Sequence, residues 1–330
     1  HFGDLLRVQK IVLPVAFLQI TSATLLGVAA AYLWGWGVAA GIVFGLSIAV
    51  ASTVVLIRVL ESSNQLDTPI GKISVGLLVV EDIFTVIALV LLPALFGPQA
   101  APSWKSVVFN VWDVALKFGG LVLFTIFLGR YVIPWAWKII EKTKSKELFT
   151  LAVLFSALGL AVGASMFFGV SMALGAFLAG MIVGRNEFAS RAAEEALPMR
   201  DAFAVLFFVS VGMLFDPATL WERWKEVLLT VAIIIVGKPL AAFVILAVMR
   251  QGARVALSIS AAISQIGEFS FIMATAGTAL GVLPPEALQI IVAASVISII
   301  LNPMIYNCIP KANLWIKEQP WLKNAVAQDE

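Results

Sequence analysis

The chain has 330 residues, 61% of them hydrophobic and 13% charged, with a net charge of +2 and a mean hydropathy of +1.00. Soluble domains are nearer half apolar and a quarter charged, so a water-soluble globular fold is excluded. A single cysteine, Cys308, and a single histidine, His1, exclude a thiolate or imidazole metal cluster.

Apolar runs of about 20 residues recur along the chain, each long enough to cross a hydrocarbon core of about 30 Å. They predict an all-α polytopic membrane protein with about ten transmembrane helices. The spans fall near 11–36, 39–60, 73–96, 107–133, 148–169, 171–185, 200–215, 226–249, 254–281 and 286–308. The sixth, "SMALGAFLAGMIVG", is short and rich in small residues that let backbones approach. The opening "HFGDLL" carries neither a starting Met nor a signal peptide pattern, and is read as a start inside a longer protein. When the sides are numbered alternately, 17 of the 22 basic residues collect on the side that holds both ends. Cytoplasmic loops carry such an excess, so both ends are expected in the cytoplasm.

The second span holds Ser52 and Thr53 in "VASTVVL", a pair that taken alone reads as packing glue. The third holds two adjacent acids, Glu81 and Asp82, in "VVEDIF". Neighbours on a helix point about 100° apart, so one acid should face a pathway and the other a neighbouring helix or the cavity edge. Thr85 lies one turn on, where its hydroxyl could satisfy either acid. The eighth span holds Lys238 in "AIIIVGKPLAAFVIL". The ninth holds Ser260, Ser264 and Glu268 at i, i+4 and i+8, with Gln265 beside them and Gly267 as a place to open. A charge at a span centre costs about 2.5–3.5 kcal/mol even on the forgiving insertion scale, so such residues face a bundle interior or a water cavity. A structural ion pair is the plain alternative. However, buried pairs are often replaceable by apolar groups, and stability alone explains them poorly.

A duplication is also legible. "FFVSVGMLFDPATLWERWKEVLLTVAIII" runs helix, amphipathic link, helix, and the chain's first residues resemble its second half. Two helices after each link comes a polar-interrupted span, "SIAVASTVVLIRVL" and "SISAAISQIGEFSFIMA". If the copies match, three spans precede this chain and the copies lie upside down, the pattern of secondary transporters. The division would be a transmembrane domain over 1–310, with a first repeat over 1–96, a linker helix near 107–133 and a second repeat over 148–308. A cytoplasmic tail would follow over 311–330.

The segments "SIAVASTVVLIRVLE", "GKISVGLLVVEDIFTVIALVLLPAL", "GVSMALGAFLAGMIVG", "LFFVSVGMLFD" and "SQIGEFSFIMATAG" resemble the monovalent cation:proton antiporter superfamily. Within it they are most similar to Kef-type potassium efflux proteins of the second cation:proton antiporter family. The resemblance implies an inverted-repeat fold of 13 helices with two crossed discontinuous helices, here those around Ser52–Thr53 and Ser264–Glu268. It implies Asp82 as the essential carboxylate, with Glu81 standing where relatives carry Asp, Asn or Gln. Lys238 matches the membrane lysine. It also implies a homodimer in a bacterial inner membrane. No cofactor is expected in this chain, and a nucleotide only if a regulatory domain follows the last helix.

The expected function is exchange of a monovalent cation, K+ ahead of Na+, for H+ by alternating access. The protein would be a transporter and not an enzyme, with the lipid bilayer and no nucleic acid as partner. Cation and proton would be held by Asp82 and Glu81, with Ser52 or Thr53 hydroxyls and carbonyls of the opened helices. Lys238 would hold Asp82 when the site is empty. Gln265, Glu268, Ser264 and Thr85 would support the site. The alternative is a gated potassium efflux channel. An intramembrane aspartyl protease would need two acids converging from different helices, which Asp82 and Glu268 could imitate, but no second Asp motif supports it.

Overall fold

In a bilayer every backbone amide must find its partner inside the protein, and the helix is the simplest way to do so. The structure, a computed structural model, describes residues 2–96, 112, 116, 119–121, 123–168, 175–176, 179–180, 188–213 and 215–318. Among the described residues the secondary structure is helical throughout. Seven helical stretches are long and apolar enough to span: Val8–Leu33, Val38–Ser62, Pro69–Pro93, Gly119–Glu141, Lys146–Ala164, Trp224–Val248 and Pro285–Asn307. They correspond to seven of the ten expected spans. The ninth is divided into two short helices, and the seventh lies inside Ala189–Met213, a helix that begins in a charged segment. Most of the sixth expected span, most of the start of the fourth, and the tail from 319 lie outside the described residues.

The chain divides into two compact units, residues 1–85 with 211–330 and residues 86–210. The first unit begins with α1 (Phe2–Leu33), α2 (Val38–Ala49), α3 (Thr53–Ser62) and the larger part of α4 (Pro69–Phe96). The 86–210 unit contains α5 (Ile133–Glu141), α6 (Lys146–Phe168) and most of α7 (Ala189–Met213). The first unit resumes with α8 (Pro217–Glu222), α9 (Trp224–Ala232), α10 (Lys238–Val248), α11 (Ala253–Ala262), α12 (Glu268–Ala279), α13 (Pro285–Asn307) and α14 (Ile309–Glu318).

In the first unit, α1 packs along α2, and it does so through glycines. A Cβ on Gly45 would stand 2.6 Å from the Thr24 Cα, so the two backbones touch. This is the small-residue packing that membrane helices use in place of a hydrophobic drive. In the same unit α12 lies against α2, α11 against α3 and α10, and α13 against α9 and α12. The apolar core joins Val12, Leu56, Leu60, Leu77, Leu246, Ile259 and Ile263.

The 86–210 unit is held by an aromatic cluster. Trp137 meets Phe149 edge-on at 5.5 Å and Phe188 at 6.2 Å. The Arg191 guanidinium stands 4.2 Å over Phe149 and 3.7 Å from Glu141. Trp137 also donates its indole N–H to Ser156 Oγ at 3.1 Å.

Two helices widen into π turns, at Leu128–Val132 and Ile233–Gly237. Each is followed by one residue and then a proline, Pro134 and Pro239. Proline has no N–H and its ring clashes with the carbonyl four residues back. A turn that bonds five residues back relieves both problems.

Candidate functional site

Two helices of the first unit are broken, and the breaks touch. Helix α2 ends at Ala49 and α3 starts at Thr53, leaving Val50, Ala51 and Ser52 extended or unpaired in the helical sense. Helix α11 ends at Ala262 and α12 starts at Glu268, leaving Ile263–Gly267 between them. Gly267 is where the expected opening occurs. A Cβ there would stand 2.7 Å from the Ser52 Cα and 3.1 Å from the Ala51 carbonyl oxygen. Glycine is therefore required by the close crossing itself.

The backbone groups that the breaks release are all the more exposed to cost because the surroundings are dry. Several find specific partners. Gln19 donates its amide to Ala49 O at 2.8 Å, closing the end of α2. Asn302 does the same for α11, donating to Ala261 O at 2.8 Å and to Ser264 Oγ at 2.9 Å. Gly267 N–H donates to Val50 O at 3.3 Å. The Ala51 N–H donates to Glu81 Oε2 at 3.0 Å. The Ser52 N–H donates to Gln265 Oε1 at 2.9 Å, while Gln265 Nε2 donates to Ser52 O at 3.2 Å. The Gln265 side chain thus pairs with Ser52 as a neighbouring strand would. Its own carbonyl oxygen accepts from the Lys238 ammonium at 2.9 Å.

Lys238, Glu81, Gln265, Ser52 and Ser264 are fully buried. Glu81 and Lys238 attract one another across the crossing. Asp82 is only half-buried. Its Oδ2 accepts from the Thr53 hydroxyl at a long 3.5 Å, and it stands within reach of the like charges of Glu81 and Glu268. Glu268 opens α12, and its Oε2 is buried without a hydrogen-bond partner.

The adjacent acids therefore divide as their 100° separation requires. Glu81 turns to the first break, and Asp82 toward Thr53 at the start of α3. Other expectations meet different partners. Thr85 donates to the backbone carbonyl of Glu81 at 2.8 Å and satisfies neither carboxylate, because a threonine in a helix reaches the carbonyl four residues back. Ser52 Oγ accepts the Val55 N–H at 3.3 Å as the cap of α3, so its lone pairs are engaged in helix initiation. Lys238 rests on the Gln265 carbonyl with Glu81 as its counter-charge, where Asp82 was expected. The Ser260–Ser264–Glu268 stripe presumed a continuous helix, but Ser260 lies in the last turn of one helix, Ser264 lies in the break and Glu268 starts the next helix. The carbonyls of Val50, Ser52, Ile263 and Gln265, expected as cation ligands, each already accept a hydrogen bond.

Gln19 and Asn302 were not anticipated. Each was visible as a lone amide inside an apolar run, "AFLQITSA" and "IILNPMIY". A buried amide needs partners, and the ends of broken helices supply them.

The sodium/hydrogen exchanger transmembrane family matches residues 1–309. Among curated proteins, YbaL of Escherichia coli (strain K12), named as a cation/proton antiporter, is 44% identical over all of this chain and 60% of its own length. K(+) efflux antiporter 4 of Arabidopsis thaliana is 28% identical over 92% of this chain and 51% of its own length. The chain thus spans somewhat over half the length of these relatives. Among solved structures, the sodium proton antiporter MjNhaP1 from Methanocaldococcus jannaschii superposes with a TM-score of 0.68 at 18% identity, covering 95% of this chain and 80% of that one. That likeness fixes the antiporter fold for the broken, crossing helices, and the family match extends over both breaks and Asp82. The chain belongs to the transmembrane sodium/hydrogen exchanger family.

Proposed function

We propose that this chain carries the exchange site of a monovalent cation/proton antiporter, with Asp82 as the group that holds cation and proton in turn. The observation that carries this reading is the division of the two acids. Glu81 is committed to a backbone N–H of the first break, while Asp82 is half-buried and only loosely held by Thr53. A hard monovalent cation needs oxygen ligands, and Asp82 with the Thr53 hydroxyl provides them. Glu268 adds negative potential beside the same space.

Lys238 acts through the framework. It offsets the charge of Glu81 and fastens the second break, so that the framework beside Asp82 is held in place. Cation and proton compete for one carboxylate, so the cation concentration needed for half-maximal exchange rises as pH falls. Alternating access, with two upside-down copies supplying the broken helices, delivers each load to its own side. The family resemblance to potassium efflux antiporters favours K+ over Na+. It also favours a homodimer in a bacterial inner membrane with its C-terminus in the cytoplasm, acting as a transporter and not as an enzyme.

The test uses proteoliposomes of the full-length protein with K+, Na+ and Li+ added separately to a pH gradient. The expected result is dissipation by K+ and its complete loss in Asp82→Asn, with the variant still folded. Exchange that persists in Asp82→Asn, or cation flux with no opposing proton flux, refutes the reading.

A further inference from the structure

We propose that Pro239 is a positioning residue that aims Lys238 at the crossing by holding a wide helical turn open. The turn at Ile233–Gly237 ends with the Lys238 N–H donating to Ile233 O, five residues back. In an α-helix Lys238 would bond four residues back, so the turn contains one extra residue. Each residue step in a helix is a rotation of about 100°. The extra residue therefore decides which direction Lys238 faces, relative to the preceding helix α9.

The direction it does face is the useful one. Lys238 is fully buried, and its ammonium lies 2.9 Å from the Gln265 carbonyl in the second break. Closing the turn to α geometry would swing it off that carbonyl by about 100° and leave both groups buried and unpaired. Pro239, the next residue, forbids that closure, because its ring would strike the Ile235 carbonyl. Packing seats the turn as well, since a Cβ on Gly237 would stand 2.7 Å from Leu26 Cδ1 of α1.

The second π turn separates the device from its use. At Leu128–Val132 the Ile133 N–H likewise donates five residues back, to Leu128 O, and Pro134 follows. The residue aimed there is Ile133, part of an apolar core. The same proline chemistry thus produces the same turn in both places, but only the one before Pro239 aims a charge.

This inference rests on the proposed antiport, and its test reads the two apart. Proteoliposomes of the full-length protein would carry the native chain, Pro239→Ala, Pro239→Ala with Val236 deleted, or Pro134→Ala. Alanine restores an N–H and favours α geometry, and deleting the exposed Val236 removes the extra residue. Pro239→Ala is expected to raise the K+ concentration for half-maximal exchange roughly tenfold, the scale of one lost charged hydrogen bond. The deletion is expected to restore it, and Pro134→Ala to leave it unchanged. No effect of Pro239→Ala, no restoration by the deletion, or an equal effect of Pro134→Ala overturns the proposal. A native chain without exchange removes the antiport reading instead. The thermal midpoint of the purified variants then decides the positioning role, by falling in Pro239→Ala and recovering with the deletion.

Discussion

The two breaks solve the same problem with opposite charges. At Val50–Ser52 a released donor, the Ala51 N–H, is met by a carboxylate, Glu81. At Ile263–Gly267 the group that reaches out is an acceptor, and the Gln265 carbonyl is met by an ammonium, Lys238. Each partner comes from another helix, Glu81 from α4 and Lys238 from the start of α10. A buried charge normally costs more than it returns unless it is paired and hydrogen-bonded. Here the acid and the base are each hydrogen-bonded to unwound backbone and attracted to each other. The lesson is that the charged pair belongs to the breaks, while the neighbouring Asp82 bonds only Thr53, at a long 3.5 Å.

The comparison makes ordered predictions, each read as the thermal midpoint of purified protein. Lys238→Met should be the most damaging, at about 3–5 kcal/mol, because it strands both Glu81 and the Gln265 carbonyl. Glu81→Leu added to it should recover part of that loss, since the uncompensated charge is gone. If the double variant is no better than the single, the two residues do not act as a pair. Gly267→Ala should cost about 1–3 kcal/mol, because the new methyl meets backbone that cannot step aside. Ser52→Ala should cost about 1 kcal/mol through the lost cap of α3. A Ser52→Ala loss larger than that of Lys238→Met would reverse the ranking and show that local capping, not charge, holds the crossing. The smallest effect is expected of Tyr306→Phe, about 0.5–1.5 kcal/mol, since its hydroxyl donates to Gln65 Oε1 at 2.8 Å outside the crossing.

Much of this was legible beforehand, for identifiable reasons. Hydropathy revealed the spans because a bilayer tolerates little else over that length. Polar residues in apolar runs marked the breaks, because unwinding at depth must be compensated. Gly267 was readable as a hinge because only glycine lacks the Cβ that the crossing excludes. The role of Gln265 was not readable. Nothing local says that its side chain will pair with Ser52, 213 positions away in sequence. The π turns were missed because a proline inside an apolar run predicts only a disturbed helix, and whether it kinks or widens depends on what packs against it.

By itself, the amino-acid order determined that this chain belongs in a membrane, which stretches are apolar enough to cross it, and which few polar side chains require an explanation. Only the three-dimensional arrangement decided that Glu81 serves the framework while Asp82 stands apart, and that Lys238 rests on a carbonyl. The reason is geometric. Solvation energy is a property of each segment and accumulates along the chain. Which of two adjacent acids meets a given N–H depends on a rotation of about 100° and on the register of helices that meet only after folding.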